Sequence, residues 1–180
     1  MIWAAICLAF FGFLRISEFT CEGPYHPSNN LSSTDIMLRR HFLKLTLKAS
    51  KADPFRQGIT LTIAALESKL CPVRALQNYL TLCPAESHHR PLFRYRSGKT
   101  LTRCELTKEI RLLLSQAGFK ATEFAGHSFR IRVATAAAKA NIQPWLIKNM
   151  GRWTSDCFEG YIRTPDDVLI NATKQMIANR

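Results

Sequence analysis

Gly12-Phe13-Leu14-Arg15-Ile16-Ser17-Glu18 sets an arginine in an otherwise apolar run. The fourteen residues Met1 to Leu14 carry no charge, and Met1 to Phe19 read as a buried helix, broken or tightened near Gly12. Burying a guanidinium strips its hydration, so an arginine here needs a partner. Glu18 supplies one at i, i+3, and on this stretch alone a structural ion pair is a sufficient explanation. The segment lacks the basic start and small-residue cleavage site of a signal peptide. A membrane span needs roughly 20 apolar residues, and Arg15 and Glu18 interrupt first, so no membrane partner is expected. A chain that starts inside a core element reads as a fragment of something longer.

Cys21 to Ser33 is rich in Pro, Ser, Asn and Gly and reads as loop. Phe42 to Lys48 and Gly58 to Ile63 each alternate apolar with polar, the pattern of a half-buried strand. Asp53-Pro54 through Gly58 supplies a turn between them, which sets Lys51 at the tip of a β-hairpin. Asp35 to Leu38 is a candidate third strand. Pro72 to Leu82 has helical spacing with proline in its first turn. Thr102 to Ala117 predicts a capped helix, with Thr102 as N-cap, Glu105 closing a capping box and Gly118 ending it. Ser128 to Ala140, Pro144 to Asn149, Ser155 to Ile162 and Asp166 to Ala178 complete a helical second half. The predicted fold is α+β and mostly helical, one domain over residues 1–180 with one small antiparallel sheet.

Lysine and arginine number 25 against 13 acids, a net charge of +12. Such a balance on a folded domain favours a polyanionic partner. Arg39, Arg40, Lys44, Lys48, Lys51 and Arg56 form one basic stretch with Asp53 the only acid among them; Arg90, Arg94, Arg96, Lys99 and Arg103 form another. Neutralising phosphates needs such clusters on one face, although a solvated face is the commoner explanation of any single cluster. The six cysteines are irregularly spaced with no C-x-x-C pair, which fits free thiols in a reducing compartment. Cys83, His88 and His89 are a conceivable zinc set, but the histidines are adjacent and no paired cysteines accompany them. No metal site is expected.

Two further segments carry chemistry. In Gly126-His127-Ser128-Phe129-Arg130, His127 and Arg130 project from one face of a helix start. A neutral imidazole can take a proton and a guanidinium can grip two phosphate oxygens; a surface histidine beside a basic helix is the plainer reading. In Gly151-Arg152-Trp153-Thr154-Ser155-Asp156-Cys157-Phe158-Glu159-Gly160-Tyr161-Ile162-Arg163, Tyr161 follows a glycine in a charged region. Most tyrosines are simply packed with a bonded hydroxyl.

Together the segments resemble the tyrosine recombinase (phage integrase) family. Gly12 to Glu18 is similar to that family's G-L-R-I-S-E stretch. Ser50 to Gly58 matches a lysine-bearing hairpin, His127 and Arg130 its H-x-x-R, and Tyr161 its nucleophile, in order from residue 1 to about residue 165. The forms H-S-F-R, G-R-W and Y-I-R look more like the eukaryotic DIRS-like and Crypton-like retroelement recombinases, which implies a nuclear location.

The resemblance implies exchange of phosphodiester bonds in double-stranded DNA with no metal or nucleotide cofactor. Tyr161 would attack the scissile phosphate and form a 3′-phosphotyrosyl link; with a phenol pKa of about 10 it needs help to lose its proton. His127 would act as base or orienter, Arg15 and Arg130 would clamp the charged oxygens, and Lys51 would protonate the departing 5′ oxygen. Glu18 would hold Arg15, while Lys48 and Arg56 would contact DNA. The family's histidine-or-tryptophan position is divided here: counting nine residues back from Tyr161 reaches Arg152, and eight reaches Trp153. Trp153 is the better substitute because its indole N–H can donate, with Arg152 a contact candidate. Arg132 stands where the retroelement relatives hold a small residue.

Full recombinases also carry a separate helical domain that completes the clamp on DNA. Its absence from this chain predicts retained site geometry with weak, salt-sensitive DNA binding and little unaided recombination. Relatives act as tetramers through their C-terminal helix, a part Asp166 to Ala178 could play. Competing readings are a non-catalytic DNA-binding remnant of a mobile element, a type IB topoisomerase-like nicking and re-ligating enzyme, and a helical protein-interaction module.

Overall fold

The computed structural model describes residues 1–48, 57–83, 90–124, 128–162, 164 and 166–178. The expected hairpin tip with Lys51 and Arg56, the histidines of the conceivable zinc set, and His127 all lie outside the described residues.

The chain opens with α1 (Ile2–Phe11), followed after a short break by α2 (Ile16–Phe19). Three strands follow, β1 (Ile36–Leu38), β2 (Phe42–Leu47) and β3 (Ile59–Ala64), in an antiparallel sheet of order β1-β2-β3. Then come α3 (Pro72–Leu82), α4 (Arg103–Gln116), α5 (Ser128–Lys139), α6 (Pro144–Gly151), a 3-10 turn over Asp156–Tyr161, and α7 (Asp166–Ala178).

The sheet follows from its alternation. Leu43, Leu45 and Leu47 point inward from the central strand and are buried, while Lys44 and Thr46 face out, opposite Thr62 and Thr60 of β3. Behind the sheet, Leu8 of α1 and Leu76 of α3 meet these leucines in the main core, which Leu92, Phe93, Leu101 and Leu106 continue. Ala4, Ala5 and Ala9 keep α1 thin on its buried side. The α4 capping box forms as the sequence predicts: the Glu105 amide donates to Thr102 Oγ1 at 3.2 Å, and Thr102 N donates to Glu105 Oε2 at 3.2 Å.

The first nineteen residues form a buried helix broken at Gly12, one of the two forms the sequence reading allowed. Gly12 ends α1 and Phe13 adopts φ +51°, a left-handed conformation uncommon for a bulky residue. Arg15 therefore caps the start of α2 rather than lying within a helix. A Cβ on Gly12 would stand 2.8 Å from the Leu8 carbonyl and 3.1 Å from Ile63 Cδ1, so the break is packed directly against β3. A second, smaller cluster of Phe13, Val133, Ala134, Ile147 and Phe158 gathers on the far side of α1. Among the described residues no helix is long and apolar enough to cross a membrane.

Candidate active site

The site forms where the α1–α2 break meets the start of α5 and the end of α6. The left-handed Phe13 leaves its carbonyl available to two cations: Arg152 Nη2 donates to it at 3.2 Å and Arg130 Nη1 at 3.5 Å. Arg130, one turn into α5 and 4% exposed, also donates through Nη2 to the Gly151 carbonyl at 2.6 Å. Its guanidinium carbon lies 4.2 Å from the centre of the Trp153 ring, a cation–π contact.

Glu18 ties the other two arginines together. Its side chain is 3% exposed, and its two oxygens are shared: Oε1 accepts from Arg15 Nη1 at 2.9 Å and Oε2 from Arg152 Nη2 at 2.8 Å. Oε2 also accepts from the Arg15 backbone N–H at 2.8 Å. The i, i+3 pair read from the sequence is present, joined by a cation from 134 residues away. The Arg15 side chain keeps 25% of its surface exposed.

Arg152 does not stand out toward a ligand. It occupies a left-handed cap after α6, at φ +56°, and its side chain turns inward to the Gly12 carbonyl at 3.1 Å, the Phe13 carbonyl and Glu18. Among the described residues its Nε has no acceptor. Each Nη meets two acceptors within the protein, the Gly12 and Met150 carbonyls for Nη1 and the Phe13 carbonyl and Glu18 for Nη2. Trp153 comes next, and its ring lies against Gly151 so closely that a Cβ there would overlap it. The same ring packs edge-on against Phe13 at 6.1 Å and tilted against Phe158 at 5.7 Å and Tyr161 at 6.0 Å.

Tyr161 closes the 3-10 turn, half-buried, with its carbonyl accepting from Thr135 Oγ1 at 3.2 Å. Its ring belongs to the small cluster, and its ionised form would favour the charged form of Arg130. Burial, reinforced by repulsion from Arg15 and Arg152, lowers Arg130 to about 10. Burial lowers Arg152 as well, with Glu18 acting in the opposite sense. Arg15 and Arg152 thus share one carboxylate while Arg130 beside them bonds to the Phe13 and Gly151 carbonyls, so the described groups here carry more positive than negative charge.

The other predicted residues are placed apart from this pocket or fall outside description. Lys48 pairs with Asp35 at 2.7 Å and reaches Ser32 Oγ at 3.5 Å, so it is neutralised at the edge of the sheet. Arg132 is exposed and does not crowd the site. Phe13 was missed by sequence reading; its signal was a glycine directly before an aromatic at the end of an apolar run. Among the described residues there is no group of three or more histidine, cysteine, aspartate or glutamate side chains placed to hold a metal.

No family model matches the chain. A curated relative, an integrase/recombinase XerD homolog from Selenomonas ruminantium, is 29% identical over 160 residues, covering 85% of this chain and 44% of the relative. Among solved structures, the XerH site-specific recombinase bound to palindromic difH substrate aligns with TM-score 0.72 at 17% identity over 98% of this chain and 45% of that one. The XerA recombinase aligns with TM-score 0.70 at 18% identity over 98% of this chain and 56% of that one. The fold is that of these solved recombinases, and the curated relative is likewise an integrase/recombinase. The chain spans less than two thirds of each of these proteins.

Proposed function

We propose that this chain is the catalytic domain of a DNA strand-exchange enzyme that works through a 3′-phosphotyrosyl intermediate. The observation that carries this reading is the pairing of Arg15 and Arg152 with the one Glu18 carboxylate, with Arg130 near enough to be repelled by both, beside the half-buried Tyr161. A cationic surplus in a buried pocket is costly unless an anion completes it, and a phosphodiester in its transition state is such an anion.

In this reading the Tyr161 hydroxyl oxygen bonds to the scissile phosphorus as the bond to the 5′ oxygen breaks. His127 takes the phenolic proton and Lys51 delivers one to the departing oxygen. Arg15 and Arg130 hold the two non-bridging oxygens, Arg130 through the N–H that each Nη keeps beyond its one carbonyl, with Trp153 bracing Arg130 through its ring face and offering its indole N–H. The phosphotyrosyl bond conserves the energy of the one it replaces, so a 5′ hydroxyl on another strand reverses the step without a cofactor.

The partner is double-stranded DNA. Assembly on it is assigned to α7, whose Val168, Leu169, Ile170, Met176 and Ile177 are all exposed and would be covered by a second copy, in a tetramer as in relatives. Within the family, H-S-F-R, G-R-W and Y-I-R support a place near the eukaryotic retroelement recombinases, and with it a nuclear location.

Trapping on a library of nicked duplexes of randomised sequence tests the reading. At low salt the protein should form a denaturant-resistant DNA adduct in low yield, in keeping with weak binding, and Tyr161→Phe should form none. DNA binding at low salt without an adduct would instead support a binding remnant. Failure to bind DNA would leave the interaction-module reading.

A further inference from the structure

We propose that Arg152 is a positioning residue, which sets the direction of the Arg15 guanidinium through the carboxylate they share. The proposal depends on the strand-exchange reading only for its consequence at a phosphate.

Three observations support it. The left-handed cap that Arg152 fills is usually taken by glycine, so a long side chain there accepts backbone strain in return for its reach. That reach ends on the Gly12 and Phe13 carbonyls and on Glu18 Oε2, which together occupy both Nη atoms in a buried setting. The remaining donor, Nε, is buried from solvent, so no N–H of Arg152 faces outward to a phosphate. The carboxylate is also divided, Oε1 to the Arg15 guanidinium and Oε2 to the Arg152 guanidinium and the Arg15 backbone N–H.

The division has a direct effect on Arg15. A carboxylate facing one guanidinium prefers a two-point, fork-to-fork pairing. If Arg152 were absent, Oε2 would keep, of these bonds, only that from the Arg15 backbone N–H, and the Arg15 guanidinium could draw inward onto both oxygens. By claiming Oε2, Arg152 keeps Arg15 partly exposed and able to meet an anion. It also clamps the 12–13 carbonyls, and so fixes the break from which Arg15 projects.

Nitrogen-15 NMR of the arginine side chains, with inorganic sulfate as the probe, tests this in the wild type, Arg152→Lys and Arg152→Met. In the wild type, sulfate should shift Arg15 and leave Arg152 in place. In Arg152→Met the Arg15 resonances should move before any sulfate is added, and sulfate affinity should fall on the order of 10–100-fold. Arg152→Lys, whose ammonium can still bond Oε2, should recover part of both, and it carries the test if the methionine variant does not fold. Unchanged Arg15 resonances in a folded Arg152 variant would overturn the proposal. So would an Arg152 signal that follows sulfate while Arg15 stays still. If sulfate moves no arginine, the phosphate site and the strand-exchange reading fail, while the Arg15 resonances still decide the role of Arg152. In covalent trapping, Arg152→Met should add no more than about 3-fold to the loss caused by Arg15→Ala, because both act on one group. A fully multiplicative loss would mean that Arg152 touches the phosphate itself.

Discussion

Leu43, Leu45 and Leu47 of β2 face an apolar interior that runs from α1 through α3 to α4. Phe13, Val133, Ala134, Ile147 and Phe158 form a much smaller cluster, and beside it lie the buried side chains of Arg130, Arg152 and Glu18. The main core gains its stability from area removed from water, which tolerates small shifts in direction. The small cluster cannot bury enough for that, and its elements are tied by directional bonds between residues 12–18 and residues 130 and 152. The contrast separates two tasks: the sheet side keeps the chain folded, and the arginine side fixes where a few atoms point.

A change in the main core should have the largest effect on stability. Leu45→Ala, at a fully buried position, should cost roughly 4 kcal/mol and lower the global denaturant midpoint. Glu18→Gln should cost about 3 kcal/mol, because the buried Arg152 loses its counter-charge. Native-state hydrogen exchange should place that loss in α5, α6 and the 3-10 turn, with the sheet amides little affected. Uniform loss across both regions would break the comparison. Gly151→Ala should cost about 2 kcal/mol by driving the Trp153 ring off its seat, read from the Trp153 indole resonance in NMR. The smallest effect belongs to Thr102→Ala, at about 1 kcal/mol for a lost N-cap. It should leave the Arg15 and Trp153 resonances where they are.

The elements were more legible in the sequence than the site. Pro72–Leu82 and Asp166–Ala178 have the bounds that spacing and punctuation predict, and the Thr102–Glu105 box forms as its residue types require. Local rules decide such features, and all the needed information is adjacent. The α1–α2 break was read only as a disturbance near Gly12. A left-handed Phe13 violates the steric preference on which helix reading rests, and it is held there by contacts that no window of sequence contains. Arg152 shows the same limit. Its spacing from Tyr161 made it a contact candidate, and only the fold reveals that carbonyls from the opposite end of the chain accept from its Nη atoms.

The Phe13 carbonyl, which accepts from both Arg152 and Arg130, is invisible to alanine scanning. Replacing the aromatic ring changes the packing and leaves the oxygen in place, so a complete library of point variants would still not report what that oxygen contributes. Main-chain chemistry, such as an amide-to-ester exchange between residues 13 and 14 by semisynthesis to weaken the oxygen as an acceptor, is needed to measure it.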